Sequence, residues 1–267
     1  SMAKLDISLG ALILCLQKEN VPFMQFDVSR SHVAVDVRDD GVLHVQGFLG
    51  GISLVNCNPG LEWSHMISIS GDKILNFSFS KYNRESITYP GFDMSVMAQM
   101  SSLKVVFVNA AVQELIVYFG AFEKMRKAIE LTTAYYYNAS LDAVRSAAES
   151  ATKIRLQIAV HHPTIIVPQS SKDARHIMLD LGKITLHNSW DLLPTGVELD
   201  VMEASITGLY MRSLTDPNAS DFVKNIRLIN DSNVSAIFKR PLAGNAQNTS
   251  PGVDLSADIE NIDLNFT

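Results

Sequence analysis

Long runs of alternating apolar and polar residues dominate this sequence and limit what it can fold into. Period-two alternation is typical of β-strands with one dry face and one solvated face. Ten such runs occur, at about residues 4–16, 26–37, 42–55, 66–79, 92–108, 154–167, 176–186, 197–211, 226–238 and 253–266. An ordinary strand has about five or six residues. The runs therefore predict unusually long strands, of roughly 45–50 Å in the longest cases.

Between the fifth and sixth runs, the apolar spacing changes from two residues to three or four. Apolar residues at this spacing follow Asn109: Val112, Leu115, Ile116, Phe119, Phe122, Met125 and Ile129. This pattern predicts an amphipathic helix, and a second helix is predicted after Asn138 or Ser140 as its cap. We therefore expect a mainly β chain with a helical connector. The first five-strand unit spans residues 1–108, the connector 109–152 and the second five-strand unit 153–267.

The apolar phase also changes within several strands without a break in the run. Such switches fall at Gly10-Ala11, near Gly182 and at Glu260-Asn261. A one-residue slip of the alternation indicates a bulge or a sharp coil. Repeated in neighbouring strands, it predicts long, strongly curved antiparallel meander sheets that form an open groove.

A sheet with one apolar face must cover that face with another sheet, with helices or with a ligand. Two interpretations stay open at this point: a groove that holds lipid chains, and a ligand-free β-sandwich scaffold for protein–protein interaction. For the groove, the candidate lining residues are the apolar positions of the sixth to eighth runs: Ile154, Leu156, Ile158, Val160, Ile177, Leu179, Leu181, Val197, Leu199 and Val201.

Composition and motifs argue against several other functions. The net charge of −6 and the pI of about 5.6 argue against a nucleic-acid surface. Two cysteines form neither a disulfide framework nor a metal-ligand spacing. The adjacent His161 and His162 lie on a predicted strand and would point to opposite faces, so they cannot chelate one metal ion together. We expect no metal, no cofactor and no catalytic residue, and therefore a non-enzymatic protein.

Three segments resemble the chorein-like vacuolar protein sorting family. Residues 162–171 (HPTIIVPQSS) contain a P-x-I-x-x-P-x-S type run at a strand end, and residues 179–184 (LDLGKI) carry D-L-G on the next strand. Residues 105–119 (VVFVNAAVQELIVYF) look like the passage from strand to helix in that family. None of the three segments is catalytic, but their order and spacing together are fairly specific.

The resemblance implies a repeating β-groove that carries glycerolipids between organelle membranes at contact sites. It implies glycerophospholipids as partners, a cytoplasmic protein peripheral to membranes, and no nucleic acid. The chain would then be an internal segment of a longer protein, which contacts membranes through parts not present here.

Overall fold

The computed structural model describes residues 2–69, 74–120, 152–194, 196–214, 225–242, 253–260 and 262–263. Within these residues, all fifteen strands belong to one hydrogen-bonded sheet, and one helix, α1 (Asn109–Gly120), follows the eighth strand. The predicted mainly β fold with a helical connector is confirmed. The strands are β1 (Ala3–Lys18), β2 (Val21–Val37), β3 (Leu43–Leu49), β4 (Gly51–Asn56), β5 (His65–Ile69), β6 (Leu75–Lys81), β7 (Met94–Met100), β8 (Leu103–Val106), β9 (Ile154–His161), β10 (Thr164–Ser170), β11 (Asp173–Asp180), β12 (Lys183–Leu192), β13 (Glu198–Leu214), β14 (Asn225–Pro241) and β15 (Asp254–Ile259).

The fifteen strands form ten long lines, because consecutive short strands continue one another. β3 and β4 both pair with β2, while β6 pairs with β3 and β5 with β4. In the same way, β7 and β8 form one line, because they pair with β6 and β5. β9 and β10 form the next line beside β7 and β8, and β12 and β11 form the line beside β9 and β10. β1, β2, β13, β14 and β15 are uninterrupted. The lines lie in chain order across the described sheet, and they are the ten strands that the alternation predicts.

The two halves of the chain meet in the middle of the sheet. Neighbouring lines are antiparallel within each half, but β7 pairs with β9, and β8 with β10, in parallel. A parallel pair needs a long crossover connection, and the connector of residues 109–152 supplies it. The first helix of that connector is α1. Its predicted continuation to Ile129 and the predicted second helix lie outside the described residues.

The sheet is crossed by a line of backbone irregularities, which we call the crease: Gly10, Arg30, Gly50, His162, Gly182 and Gly208. Arg30 and His162 have positive φ values of 49° and 46°, and Gly182 and Gly208 have values of 62° and 75°. The apolar alternation changes phase at each of these positions. The predicted switches at Gly10 and Gly182 therefore lie on one structural feature. For the switch at Glu260-Asn261, Asn261 is outside the described residues.

Neighbouring backbones approach closely along the crease. A Cβ atom on Gly50 would overlap the carbonyl oxygen of Arg30 and lie 2.7 Å from the Arg30 Cβ. A Cβ atom on Gly182 would overlap the carbonyl oxygen of Thr207 and lie 2.7 Å from the carbonyl carbon of Gly208. The lines therefore touch at positions where only glycine fits.

Helix α1 covers one end of the sheet and completes the one fully buried apolar cluster of the described chain. That cluster consists of Phe23, Met24, Met66, Val106, Val108, Ala111 and Ile166. Lys18 forms a 2.8 Å ion pair with Glu114, and the rings of Phe23 and Tyr118 lie 5.0 Å apart. The helix is thus held against the sheet by both apolar and charged contacts.

The helix is rotated relative to the predicted stripe. Val112 and Leu115 pack on the cluster as expected, together with Ala111 and Tyr118, but Ile116 and Phe119 are exposed by 58% and 45%. The small Ala111 side chain is 1% exposed and lets the helix approach the sheet closely. The predicted stripe places Ile116 and Phe119 on the inner side of the helix, and that part of the prediction is wrong.

Asp93 lies at the joint between the two halves, immediately before β7. Its carboxylate accepts hydrogen bonds from the Arg84 guanidinium, from the Tyr89 hydroxyl at 3.1 Å and from the backbone N–H of Lys153 at 2.8 Å. These donors, Arg84 above all, hold the pKa of Asp93 at about 2, although partial burial opposes the shift. Asp93 therefore attaches the chain before β7 to the residue that precedes β9.

We predict that Gly50→Ala destabilises the fold by about 1–3 kcal/mol, because the added methyl group meets backbone atoms that cannot move aside cheaply. Gly10→Ala is the matched control, since nothing lies within 4 Å of a Cβ at that crease position. Urea unfolding of both variants measures the difference. Equal unfolding midpoints for the two variants would show that the crease is not tightly packed.

The amides of Val112 to Gly120 should be protected from hydrogen exchange in the protein without membranes. Tertiary packing supplies most of the stability of a short helix, and α1 has such packing on the sheet. Exchange at random-coil rates, with protection appearing only after liposomes are added, would instead identify α1 as a membrane anchor.

Asp93→Asn should lower the free energy of unfolding by about 1–2 kcal/mol at pH 7, a value reduced for the exposure of Arg84. The folded pKa lies below the unfolded value, so the stabilisation is present above about pH 4 and is lost as the pH falls towards 2. Unfolding should be measured from pH 7 to pH 2, with the exposed Asp254→Asn as control. If the free energies of unfolding of wild type and Asp93→Asn differ by the same amount at every pH, the ionised Asp93 carboxylate does not stabilise the fold as we predict.

Candidate functional site

The strand register sorts the side chains of the sheet into two faces, because paired residues in a ladder point to the same side. One row of directly paired residues crosses all ten lines and is entirely apolar or glycine. We call it the central row: Ile7, Val33, Gly47, Phe77, Ala98, Ile158, Leu186, Ala204, Ala236 and Ala257.

Two flanking rows on the same side are also largely apolar. One contains Val35, Val45, Phe79, Val96, Leu156, Met202, Phe238 and Leu255, and the other contains Leu75, Met100, Val160, Ile184, Ile206, Val234 and Ile259. Together with the central row they form what we call the apolar face. Ten lines at about 4.8 Å spacing make this face roughly 43 Å long across the strands.

The opposite face is polar at the same level. The row one residue further along each strand also crosses all ten lines, and eight of its ten members are polar. We call it the polar row: Ser8, His32, Phe48, Asn76, Gln99, Ala159, Thr185, Ser205, Ser235 and Asp258. The sheet therefore separates apolar from polar side chains across its whole width.

The described chain leaves the apolar face partly open. Its side chains are half-buried in the interior strands, and at the edge strands Ile7 and Ile259 are exposed by 55% and 59%. By contrast, Met24 and Val106 in the cluster beneath α1 are exposed by 0% and 1%. A closed sandwich core would bury the apolar face to the same degree as that cluster. The half-buried state favours a surface that contacts something else.

The ring of Phe77 compensates for the missing side chain of Gly47 in the central row. A Cβ atom on Gly47 would lie 2.9 Å from the Phe77 Cζ, which places the ring over the glycine. An aromatic side chain over a cross-strand glycine restores contact area on the sheet surface. The apolar face is therefore continuous at this point.

A second apolar surface lies on the other side of the crease. Its register partners are Phe26 and Val28 with Leu54 and Ile52, then Ile67, Val105, Ile165 and Leu179. Val167 and Ile177 pair with each other and are exposed by 46% and 42%. This surface also carries alternating apolar residues that the described chain covers only in part.

The predicted groove residues are distributed unevenly over these surfaces. Ile154, Leu156, Ile158 and Val160 lie on the apolar face, and Ile177 and Leu179 lie on the second apolar surface. Leu181 sits at the crease beside Gly182. The other three residues do not join either surface: Val197 precedes β13, and Leu199 and Val201 pair with Asp191 and Ser189 on the opposite side of the sheet.

Leu199 and Val201 are also nearly buried, with exposures of 9% and 5%. In β13, the apolar positions of the open face are Met202, Ala204 and Ile206. Alternation alone could not separate the two sets, because β13 is apolar at odd positions before Met202 and at even positions from Met202 to Ile206.

A polar network at one end of the apolar face was not expected from the sequence. Asn188 donates to the Ile154 carbonyl at 2.7 Å and to Asp200 at 2.8 Å, and its side-chain oxygen accepts from the Leu156 N–H at 2.7 Å. Its amide thereby continues the ladder between β9 and β12 beyond their last backbone pair. Asp200 also binds Arg240 at 2.9 Å. These residues are far apart in sequence, so no local motif predicts the network.

A cavity of about 900 Å³ lies over the polar side of the sheet, across β3, β6, β7, β9 and β12. In the described part of the chain, no group of three His, Cys, Asp or Glu residues could hold a metal ion. His161 approaches Gln99 at 3.4 Å and His162 approaches Asp180 at 3.2 Å, so the two histidines have separate partners. Among the described residues, no helix is long and apolar enough to cross a bilayer.

Comparison with known proteins identifies relatives over most of the chain. Residues 23–267 match the model of the VPS13-like family middle region. Mouse intermembrane lipid transfer protein VPS13C is 22% identical over 265 residues, which are 95% of this chain and 7% of that protein. Human intermembrane lipid transfer protein VPS13D is 24% identical over 250 residues, covering 90% of this chain and 5% of that protein.

Dictyostelium discoideum intermembrane lipid transfer protein vps13A is 22% identical over 281 residues, covering 84% of this chain and 8% of that protein. The chain thus spans less than a tenth of the length of these relatives. Because the family model covers nearly all of the sequence, the chain belongs to the VPS13-like family and corresponds to its middle region.

Proposed function

We propose that this chain holds glycerolipids on its apolar face and passes them across the strands, as an internal segment of a protein that moves lipids between organelle membranes at contact sites. The observation that carries the proposal is the central row, which stays apolar over ten adjacent lines while remaining only half-buried. The relatives' names, intermembrane lipid transfer proteins, support a lipid cargo.

Acyl chains fit this surface energetically. Each methylene group moved from water to an apolar surface gains about 0.8 kcal/mol. A lipid with two acyl chains would therefore be held without any specific polar contact. Because the apolar face offers few hydrogen-bonding groups, we propose that it distinguishes poorly between lipid head groups.

Head groups would lie at the polar margin of the apolar face rather than on it. Asn188, Asp200 and Arg240 share the register side of the apolar face and lie two residues beyond Leu186, Met202 and Phe238, respectively. Asp200 is 3% exposed, whereas the Arg240 side chain is 33% exposed. Arg240 is thus the member of the network that can meet a phosphate group.

We further propose that the apolar face and the second apolar surface act as one continuous groove. A bulge places two successive residues on the same side of a strand, so the alternation resumes one residue later. Along the crease the alternation also resumes one residue later, in both partners of a pair and mostly without a register shift, and this change would keep both sets of apolar residues on one side. The role is conduction without chemistry, in a cytoplasmic protein that is peripheral to membranes through its other parts.

Purified protein should contain, or take up from liposomes, glycerophospholipids of several head-group classes. Lipid extraction followed by mass spectrometry measures the content, and transfer of fluorescent lipid into the protein measures uptake. Recovery of no lipid together with no uptake would leave the ligand-free scaffold as the better interpretation.

Substitutions on the two faces should differ sharply. Ala98→Glu, Ile158→Glu and Leu186→Glu together put three charges in the central row and should reduce lipid uptake by about tenfold or more. The matched control carries Gln99→Glu, Ala159→Glu and Thr185→Glu, which lie on the same strands in the polar row.

Circular dichroism should show that both variants are folded. A charged side chain is tolerated on a surface that water can reach, whereas it strongly destabilises a packed core. Unfolding of the central-row variant alone would favour a dry sandwich core. Equal lipid uptake by the two folded variants would also contradict the proposal.

A further inference from the structure

The cavity on the polar side of the sheet has the form of a trough between two rows of side chains. Its floor is the backbone of the central row where it crosses β3, β6, β7, β9 and β12. One wall belongs to the polar row, and the other wall is the next row along the strands, Gln46, Ser78, Met97, Gln157 and His187.

The size of the trough fits a short stretch of extended polypeptide. Five strands at about 4.8 Å spacing give a length of roughly 19 Å, and an extended chain of about six residues at 3.3 Å per residue has the same length. A volume of about 900 Å³ lies in the upper part of the range for ligand sites.

The walls carry the groups that recognise peptide bonds. Four carboxamides, Gln46, Asn76, Gln99 and Gln157, line the trough, and each offers both a donor and an acceptor. Within the part of the chain that the structure describes, the side chains of Asn76 and Gln157 have no hydrogen-bond partner. They are therefore free to pair with the N–H and C=O groups of another chain.

The formally charged side chain of the described lining, Lys183, is positive and therefore suits an acidic occupant. The residues around the trough include Lys183 and the histidines His32, His161 and His187, and no carboxylate is among the described lining residues. Two of its histidines approach carboxylates at its ends: Asp6 lies 3.4 Å from His32, and Glu203 lies 3.4 Å from His187. Lys183 has no ion pair within the described structure.

We propose that this trough is a docking site for an extended, acidic peptide segment of a partner protein. The segment lies across the five strands, its main chain pairs with the carboxamides, and one acidic side chain meets Lys183. The site is on the opposite side of the sheet from the apolar face, so it does not depend on lipid binding.

Panning of a phage-displayed library of random linear dodecapeptides against the purified protein tests the proposal. Enriched peptides should contain aspartate or glutamate, and their fluorescein-labelled forms should bind in a polarisation assay. The double variant Asn76→Ala/Gln157→Ala should weaken binding by about tenfold or more, and Lys183→Glu should weaken it as well. Ser205→Ala/Ser235→Ala, in the polar row beyond the trough, is the matched control and should bind like wild type.

All these variants should take up lipid normally, which separates this site from the proposed function of the apolar face. Failure to enrich any peptide, or peptides that bind the Asn76→Ala/Gln157→Ala variant as tightly as wild type, would overturn the proposal. Binding of a labelled dodecathymidylate probe that competes with the peptide would also overturn it, because it would reveal a nucleic-acid surface.

Discussion

The parallel pairing of β7 with β9 is the interaction on which the rest of the structure depends. It joins the two halves of the chain, and its register places Ala98 beside Ile158 and Gln99 beside Ala159. A slip of one residue would move Gln157 or Arg155 into the apolar face and interrupt the central row. Asp93 secures this register at its start, because its carboxylate and its backbone both bond to Lys153. The continuity of both faces follows from that single alignment.

The crease solves a geometric problem that long strands create. Strands twist along their length, and a line of fourteen or more residues must accommodate this twist while it stays paired with its neighbours. Here the interruptions fall at the same level in neighbouring lines, and close contacts between Gly50 and Arg30, and between Gly182 and Gly208, hold them together. The interruption thus belongs to the sheet as a whole rather than to separate strands.

The ten strands and the start of the helical connector could be predicted, because their signals are local. Alternation along one strand reports one dry face, and the change of spacing after Asn109 reports a helix. The side of β13 that lies open could not be predicted, since Leu199 and Met202 are equally apolar and only the pairing with β12 separates them. The rotation of α1 depends on its contacts with Phe23, which is distant in sequence.

The polar parts of the site were missed for the same reason. In the sequence, Asn188 is indistinguishable from any other residue at a strand end. In the fold, the ladder between β9 and β12 ends beside Asn188, and its amide takes the place of the missing backbone partners. The carboxamides around the polar cavity are ordinary solvated residues in the sequence. They form a site only because five strands place them in two parallel rows.

The separation of the two faces has a consequence for the function that we propose. A lipid moving along the central row would exchange one set of apolar contacts for an equivalent set at each strand, and no charged side chain interrupts that row in the described sheet. Hydrophobic contact is non-directional and proportional to the area removed from water, so successive positions would differ little in free energy. A surface of this kind can hold a lipid firmly and still let it move, whereas a specific head-group site would create a local trap. The carboxamides and Lys183 lie on the opposite face and Arg240 lies at the margin of the apolar face, so the central row itself stays uniform.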